Sequence, residues 1–201
     1  MTEAFEEILQ FWFGPLCEGF AVESKQSLWW GGQEEVDREL DELFGCRVRQ
    51  AMRGELEAWS GNPRGRLALI LLLDQFTRSI YRGSADAFAG DSRALDLCQR
   101  GIELGHDRGL EFAERLFFYM PLEHAESLEA QDLHIETLEE LRREVPFQRR
   151  ATIDNALDYA HQHRDLIVRF GRFPHRNDAL ERVSTPEELA YLNQSHRRWG
   201  Q

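Results

Sequence analysis

Leucine outnumbers valine, isoleucine and threonine combined in this chain, 26 residues to 18. Leucine favours helices, whereas the three β-branched residues favour strands. Apolar residues also recur at helical spacing, and glycine and proline mostly fall between these periodic stretches. The sequence therefore predicts an all-α fold with at most an incidental β-bridge.

Eight helices are predicted, near residues 3–13, 33–53, 63–82, 91–104, 111–119, 122–143, 148–170 and 186–194. The last helix has the clearest start, because Thr185 can serve as N-cap, Pro186 suits the first helical position and Glu188 completes a capping box. Short connections favour antiparallel neighbours, so we expect a bundle of about eight to ten helices. No linker or composition break appears, which predicts a single domain over residues 1–201.

The formal net charge of −12 argues against nucleic acid or an anionic membrane as partner, since either needs a basic face. Cys17, Cys46 and Cys98 are odd in number and form no C-x-x-C motif, which indicates free thiols in a reducing compartment. The longest aliphatic run, residues 67–73, is too short to span a bilayer. We expect a cytoplasmic protein that needs no metal or cofactor to fold; the sequence leaves the oligomeric state open.

The most polar irregular stretch is residues 169–177, Arg-Phe-Gly-Arg-Phe-Pro-His-Arg-Asn, which we call the arginine segment. Its glycine and proline cannot continue a helix, and guanidinium groups suit carboxylate or phosphate oxygens. The arginines would repel one another unless acidic side chains or a ligand compensated them. The segment predicts an anion site formed by Arg169, Arg172, His175, Arg176 and Asn177.

On the third predicted helix, Asp74, Arg78 and Arg82 follow one another at intervals of four residues. One interpretation is a surface Asp74–Arg78 ion pair with a solvated Arg82. The other has Leu67 and Leu71 burying this side of the helix, which leaves the two arginines at the edge of a groove.

Histidines supply the candidates for acid–base chemistry. Within the predicted helix 122–143, one stripe contains His124, Leu128, Gln131, Ile135 and Leu138. Its two polar members are either core residues with hydrogen-bond partners or side chains that project into a pocket. His161 has Asp165 one turn later, which suits an oriented imidazole but is also ordinary surface chemistry. Nucleotide-binding loops, the serine-hydrolase elbow and the zinc-protease motif are absent from the sequence.

Four ordered motifs carry a family resemblance: FWFG at 11–14, LDQFTRSIYRG at 73–83, MPLEHAE at 120–126 and FGRFPHRN at 170–177. Together they resemble the bacterial and fungal family called domain of unknown function 924. The resemblance implies an all-α fold similar to tetratricopeptide-repeat proteins and no established activity. In this chain Thr77-Arg78-Ser79 replaces the expected proline-arginine-asparagine. The family's polar motif positions fall on Asp74, Gln75, Arg78, Arg82, His124, Glu126, Gln131, His161, Arg169, Arg172, His175, Arg176 and Asn177.

Three functional hypotheses follow from these residues. The first is a groove that binds a small acid or a peptide carboxylate, formed by Arg78, Arg82, Gln131, Arg169, Arg172, His175, Arg176 and Asn177. The second is an enzyme, a hydrolase or lyase, that uses His124 or His161 as acid or base. The third is a structural role, in which the arginines close interhelical ion pairs onto Asp74, Glu126 and Asp165.

Overall fold

The computed structural model describes residues 3–194. Its helices are α1 (Ala4–Phe13), α2 (Gln26–Trp30), α3 (Glu34–Met52), α4 (Pro63–Ile70), α5 (Thr77–Ile80), α6 (Asp91–Glu103), α7 (Phe112–His124), α8 (Leu128–Glu144), α9 (Arg150–Phe170) and α10 (Pro186–Gln194). A π-helical turn, Leu71–Phe76, joins α4 and α5 into one continuous helix. The described residues 3–194 therefore contain nine continuous helices. The all-α prediction is confirmed. The tetratricopeptide-repeat-like arrangement stays a prediction.

A single short hairpin is the β-structure of the described residues. Strands β1 (Leu16–Cys17) and β2 (Phe20–Ala21) pair in antiparallel register. Glu18 and Gly19 form the two-residue turn with φ of 51° and 81°, as expected where both central residues of a hairpin turn are left-handed. The hairpin matches the expectation of incidental β-structure.

Most predicted helix boundaries agree with the structure to within two residues, but the helix break near Pro121 was placed wrongly. The sequence put a boundary at this proline, whereas Pro121 lies inside α7. A proline removes one helical hydrogen bond, and the buried Phe118 and Leu122 on either side hold this turn in place. The true break follows His124, and α8 starts after Ser127, whose hydroxyl accepts from the Ala130 amide at 3.4 Å. The short α2 was not predicted.

The described chain divides into two compact units. The first contains residues 3–82 and 86–121, and the second contains residues 83–85 and 122–194. The prediction of a single domain stays a prediction. No helix within residues 3–194 has the length and apolarity needed to cross a membrane.

The first unit has an aromatic core. Trp12 and Phe13 of α1 both contact the Phe117 ring edge-on, with centroid distances of 5.4 and 5.6 Å. Phe76 also packs against Trp12, with 5.2 Å between the two ring centroids. Such edge-to-face pairs add to the free energy gained from burying the rings.

The second unit is built on the pair α8 and α9. Ion pairs join Asp132 to Arg164 and Arg142 to Asp154, so residue numbers rise along one helix as they fall along the other. The two helices are therefore antiparallel, and their buried faces include the polar side chains of Gln131, His134 and His163.

Candidate functional site

Arg78 and Arg82 lie in the first unit, where carboxylates hold both guanidinium groups. Arg78 donates to both oxygens of Asp91 at 2.8 and 3.0 Å and lies 3.2 Å from Asp74 Oδ1. Arg82 donates to both oxygens of Asp37 at 2.8 and 3.0 Å. The Asp74–Arg78 pair exists, but it is buried and not on the surface, and Arg82 is paired. These contacts stabilise packing within the first unit.

A buried carboxylate lies between two histidines in the second unit. Glu123, near the end of α7, is 3.1 Å from Nε2 of His134 on α8 and 3.6 Å from Nδ1 of His163 on α9. All three residues are less than a tenth exposed. We call Glu123, His124, His134, His163 and His175 the histidine cluster.

Hydrogen bonds fix the ring tautomers of the two buried histidines. His163 Nδ1 donates to the Tyr159 carbonyl at 2.9 Å, and His134 Nε2 donates to the Glu123 carboxylate at 3.1 Å. His134 Nδ1 is buried and makes no hydrogen bond to the described chain. Burial opposes ionisation of Glu123, but His163 and His134 hold the pKa of its carboxyl below the usual range. Burial also lowers the pKa of His163, so that its imidazole is neutral at neutral pH.

The arginine segment packs onto this cluster through Phe173. Gly171 ends α9 in the left-handed region, with φ of 69°, and the chain then turns back. The Phe173 ring is fully buried, and its centroid lies 5.5 Å from those of His163 and His175. The Arg176 guanidinium lies 4.7 Å from the same ring centroid. Phe173 thus brings His175 and Arg176 of the segment to the buried histidines.

His175 is in a cationic environment. Burial is the main cause that lowers its pKa to about 3, and the charges of Arg176 and Arg182 act in the same direction. Its Nδ1 atom is buried and makes no hydrogen bond to any part of the chain that the structure describes. The imidazole is therefore neutral at neutral pH, at a point of positive electrostatic potential.

Glu188 compensates the positive charge of Arg172. Arg172 Nε and Nη2 donate to the two carboxylate oxygens at 2.6 and 2.8 Å, and Glu188 is only 2% exposed. The predicted capping box is also present, since Thr185 N donates to Glu188 at 2.7 Å and Thr185 Oγ1 accepts from Glu188 N at 3.2 Å. The Asn177 amide donates to Ser184 Oγ at 2.9 Å. Arg169 pairs with the exposed Glu187.

Glu126 compensates Arg182. The guanidinium donates to both carboxylate oxygens at 2.7 and 2.9 Å, and the Phe173 amide donates to the same carboxylate at 2.8 Å. Burial works against ionisation of Glu126, but these hydrogen bonds lower its pKa. Arg182 also donates to the Phe173 carbonyl and the Asn177 side chain, both at 3.0 Å. The arginine segment is thus held in place by two acidic residues.

Gln131 holds the end of α7. Its amide nitrogen lies 3.2, 2.6 and 2.9 Å from the carbonyl oxygens of Leu122, Glu123 and Ala125. The predicted stripe from His124 to Leu138 is not one helix face, because the chain breaks between α7 and α8. The buried face of α8 includes His134, which is 2% exposed, and not Leu128, which is 43% exposed.

The structure brings only some of the predicted site residues together. His124, the last residue of α7, directly follows Glu123, and Arg176 packs on the same Phe173 ring as His163 and His175. His161 is exposed on α9 and lies outside it. Sequence analysis did not name Glu123, His134 or His163 as site residues, and it gave Glu188 only as part of a capping box. Among the described residues, no group of three or more His, Cys, Asp or Glu side chains is arranged to hold a metal ion.

Comparisons with known proteins agree with the resemblance. A solved structure of a protein of unknown function from Agrobacterium tumefaciens, ATU0120, is 34% identical, with a TM-score of 0.77 over 95% of this chain and 97% of the other. No curated protein sequence matches. The model of the family described as bacterial protein of unknown function (DUF924) matches residues 8–196. The chain therefore belongs to the DUF924 family.

Proposed function

We propose that the second unit binds a small anionic ligand, a carboxylate or a phosphate, through His175, His124 and Arg176. The observation that carries this proposal is the buried Nδ1 of His175, which has no hydrogen-bond partner among the described residues and lies on the same Phe173 ring as the Arg176 guanidinium. An anion beside the ring would lower the positive potential at this point. Imidazole and guanidinium donors are suited to such oxygens.

The other arginines of the segment have a different role in this proposal. Arg169 and Arg172 are paired with Glu187 and Glu188, so that their charges are already compensated. The ion pair between Arg172 and Glu188 holds the arginine segment against α10. In this proposal the ligand contacts only His175, His124 and Arg176, which are fewer residues than the sequence predicted.

A second candidate is an enzyme, a hydrolase or lyase acting on the bound anion. The contact between Glu123 and His134 favours it, because a carboxylate that orients an imidazole is a common arrangement for general acid–base catalysis. In this version His124, which follows Glu123 at the end of α7, is the acid or base that acts on the anion, and the buried Glu123 orients His134.

Thermal unfolding with added sulfate tests the binding proposal. At constant ionic strength, set with chloride, sulfate should raise the melting temperature of the wild type more than that of His175→Gln or Arg176→Gln. By mass action a ligand at a hundredfold excess over its Kd stabilises the folded state by about 2.7 kcal/mol. His161→Gln, which removes an exposed histidine of the same unit, is the matched control and should respond like the wild type. An equal response of all four proteins would refute the site and favour a purely structural role for the ion pairs.

A further inference from the structure

The outward face of α8 combines leucines with acidic residues. An open groove of about 530 Å³ on this face is lined by Leu128, Glu129, Asp132, Leu133 and Glu136. Leu128 is exposed and Leu133 is half-buried, although outward positions of a surface helix are usually polar. Asp132 is paired with a base of α9, but Glu129 and Glu136 are exposed and have no ion-pair partner within residues 3–194. The groove, which we call the α8 groove, thus places two uncompensated carboxylates beside an apolar surface.

The α8 groove starts close to the helix that ends the described chain. The two ion pairs between α8 and α9 set their antiparallel register, which puts Leu128 level with the exposed Val168. Two residues later, the Phe170 ring contacts Tyr191 of α10, with 5.4 Å between the ring centroids. The start of the groove and helix α10 therefore adjoin the same end of α9.

The sequence that follows α10 complements the groove in charge and polarity. Residues 195–201, which lie outside the described part of the chain, read Ser-His-Arg-Arg-Trp-Gly-Gln, and we call them the basic segment. The segment has two arginines, a histidine and a tryptophan, and its sequence contains no acidic residue. Seven extended residues reach up to about 24 Å, whereas packed helices lie only about 8–10 Å apart. The basic segment is therefore long enough to pass from the end of α9 to α8.

We propose that the basic segment binds in the α8 groove of the same molecule. Arg197 and Arg198 pair with Glu129 and Glu136, and the Trp199 indole packs on the leucines of the groove. The charges select the groove and orient the segment, because a basic sequence meets an acidic surface. Exposed ion pairs stabilise only weakly, so the buried area of the indole supplies most of the affinity.

This contact would attach the last described helix to the second unit at a further point. Helix α10 is held at its start by the ion pair between Glu188 and Arg172 of the arginine segment. The basic segment adds an attachment after Gln194, from the end of α10 to α8. The contact does not depend on the proposed anion site and can be tested without a ligand.

Fluorine NMR of the full chain labelled with 5-fluorotryptophan tests the proposal. The loss of one resonance in Trp199→Phe identifies the signal of this residue. In the folded wild type we expect this signal to be shifted from its position in urea, because a ring packed on leucines is shielded from solvent. Glu129→Arg/Glu136→Arg replaces attraction by repulsion and should move the signal to its position in urea. Both positions are exposed, so the variant should keep the fold.

A charge reversal and a matched control make the result specific. Adding Arg197→Glu/Arg198→Glu to the groove variant restores opposite charges and should return the signal to its wild-type position. Glu42→Arg/Glu103→Arg changes the net charge by the same amount at exposed positions of the first unit, and it should leave the signal unchanged.

Three results would overturn the inference. A wild-type Trp199 signal at its position in urea would show that the basic segment is not bound. A shifted signal that does not respond to Glu129→Arg/Glu136→Arg would place the segment on another surface. A shift that is lost on dilution would show that the groove binds the basic segment of a second molecule.

Discussion

One carboxylate has two structural tasks in the second unit. Glu188 completes the N-terminal capping box of α10 and also receives the guanidinium of Arg172. Hydrogen bonds from Arg172 and from the Thr185 amide outweigh burial and lower the pKa of Glu188 to about 2. The residue is therefore ionised at any physiological pH, and it couples the start of a helix to the arginine segment.

Replacing Glu188 by glutamine should destabilise the protein. The change leaves Arg172 without its counter-charge and weakens the capping box, and breaking a buried ion pair at one partner costs about 3–5 kcal/mol. Because the Arg172 side chain is 27% exposed, we expect the lower end of that range or less. Urea unfolding followed by circular dichroism measures the loss.

The neighbouring residue supplies the control. Glu187→Gln removes an exposed ion pair with Arg169 from the same helical turn, and exposed pairs contribute at most about 1 kcal/mol. Equal urea midpoints for the two variants would contradict the role of Glu188.

At the scale of elements, the junction of α7 and α8 positions the histidine cluster. Helix α7 ends at His124, and Gln131 of α8 donates to the carbonyls around that end. Helix ends leave carbonyl groups without helical partners, so a donor from a neighbouring helix fixes where α7 stops. The direction of the Glu123 side chain depends on this end.

Gln131→Ala should therefore lower stability without removing the anion response. Unpaired buried carbonyls cost about 1–3 kcal/mol, which should shift the urea midpoint downward. Gln162→Ala, on the surface of α9, is the control and should change the free energy of unfolding by no more than about 0.5 kcal/mol.

The opposite pattern has a clear meaning. If Gln131→Ala unfolds like the wild type but no longer responds to sulfate, Gln131 is a ligand residue, as the sequence predicted.

Local patterns explain why the helices could be predicted. Leucine spacing and caps are properties of neighbouring residues, and α10 begins at Pro186 as its capping box indicated. The break before α8 was misplaced because Pro121 is a strong local stop signal, whereas Ser127 is a weaker start signal. Because of that error the inward face of α8 was predicted wrongly, and His134 was not recognised as a buried residue.

The site could be predicted only in part, because three helices and a loop contribute to it. The arginine segment is contiguous and was found. His163 had a local signal, since it lies between the buried Ala160 and Ile167 at spacings of three and four residues. No such signal joins it to Glu123, forty residues earlier in the chain. Contacts between distant residues depend on tertiary packing, which the sequence pattern does not specify.

At the scale of the whole molecule, buried histidines make stability depend on pH. Burial is the main cause that lowers the pKa values of His106 in the first unit and of His163 and His175 in the second, each from an ordinary value of 6.5. The unfolded chain therefore binds protons at these positions before the folded chain does. The stability they contribute is complete above pH 6.5 and is lost as the pH falls below that value.

The buried carboxylates affect the stability of the protein in a lower pH range than the histidines do. Glu123, Glu126 and Glu188 have pKa values lowered from 4.5, so their contribution is lost only as the pH falls below that value. Between pH 6.5 and 4.5 the loss of stability belongs to the histidines. Each can contribute at most about 1.4 kcal/mol per pH unit.

Urea unfolding at a series of pH values between neutrality and pH 4.5 should therefore show a free energy of unfolding that decreases steadily in acid. His175→Gln should decrease less steeply, because it removes the histidine whose pKa is lowered to about 3, whereas His161→Gln should follow the wild type. A wild-type stability that is constant down to pH 4.5 would show that the folded state accommodates these protons without cost, and would contradict the neutral state assigned to His163 and His175.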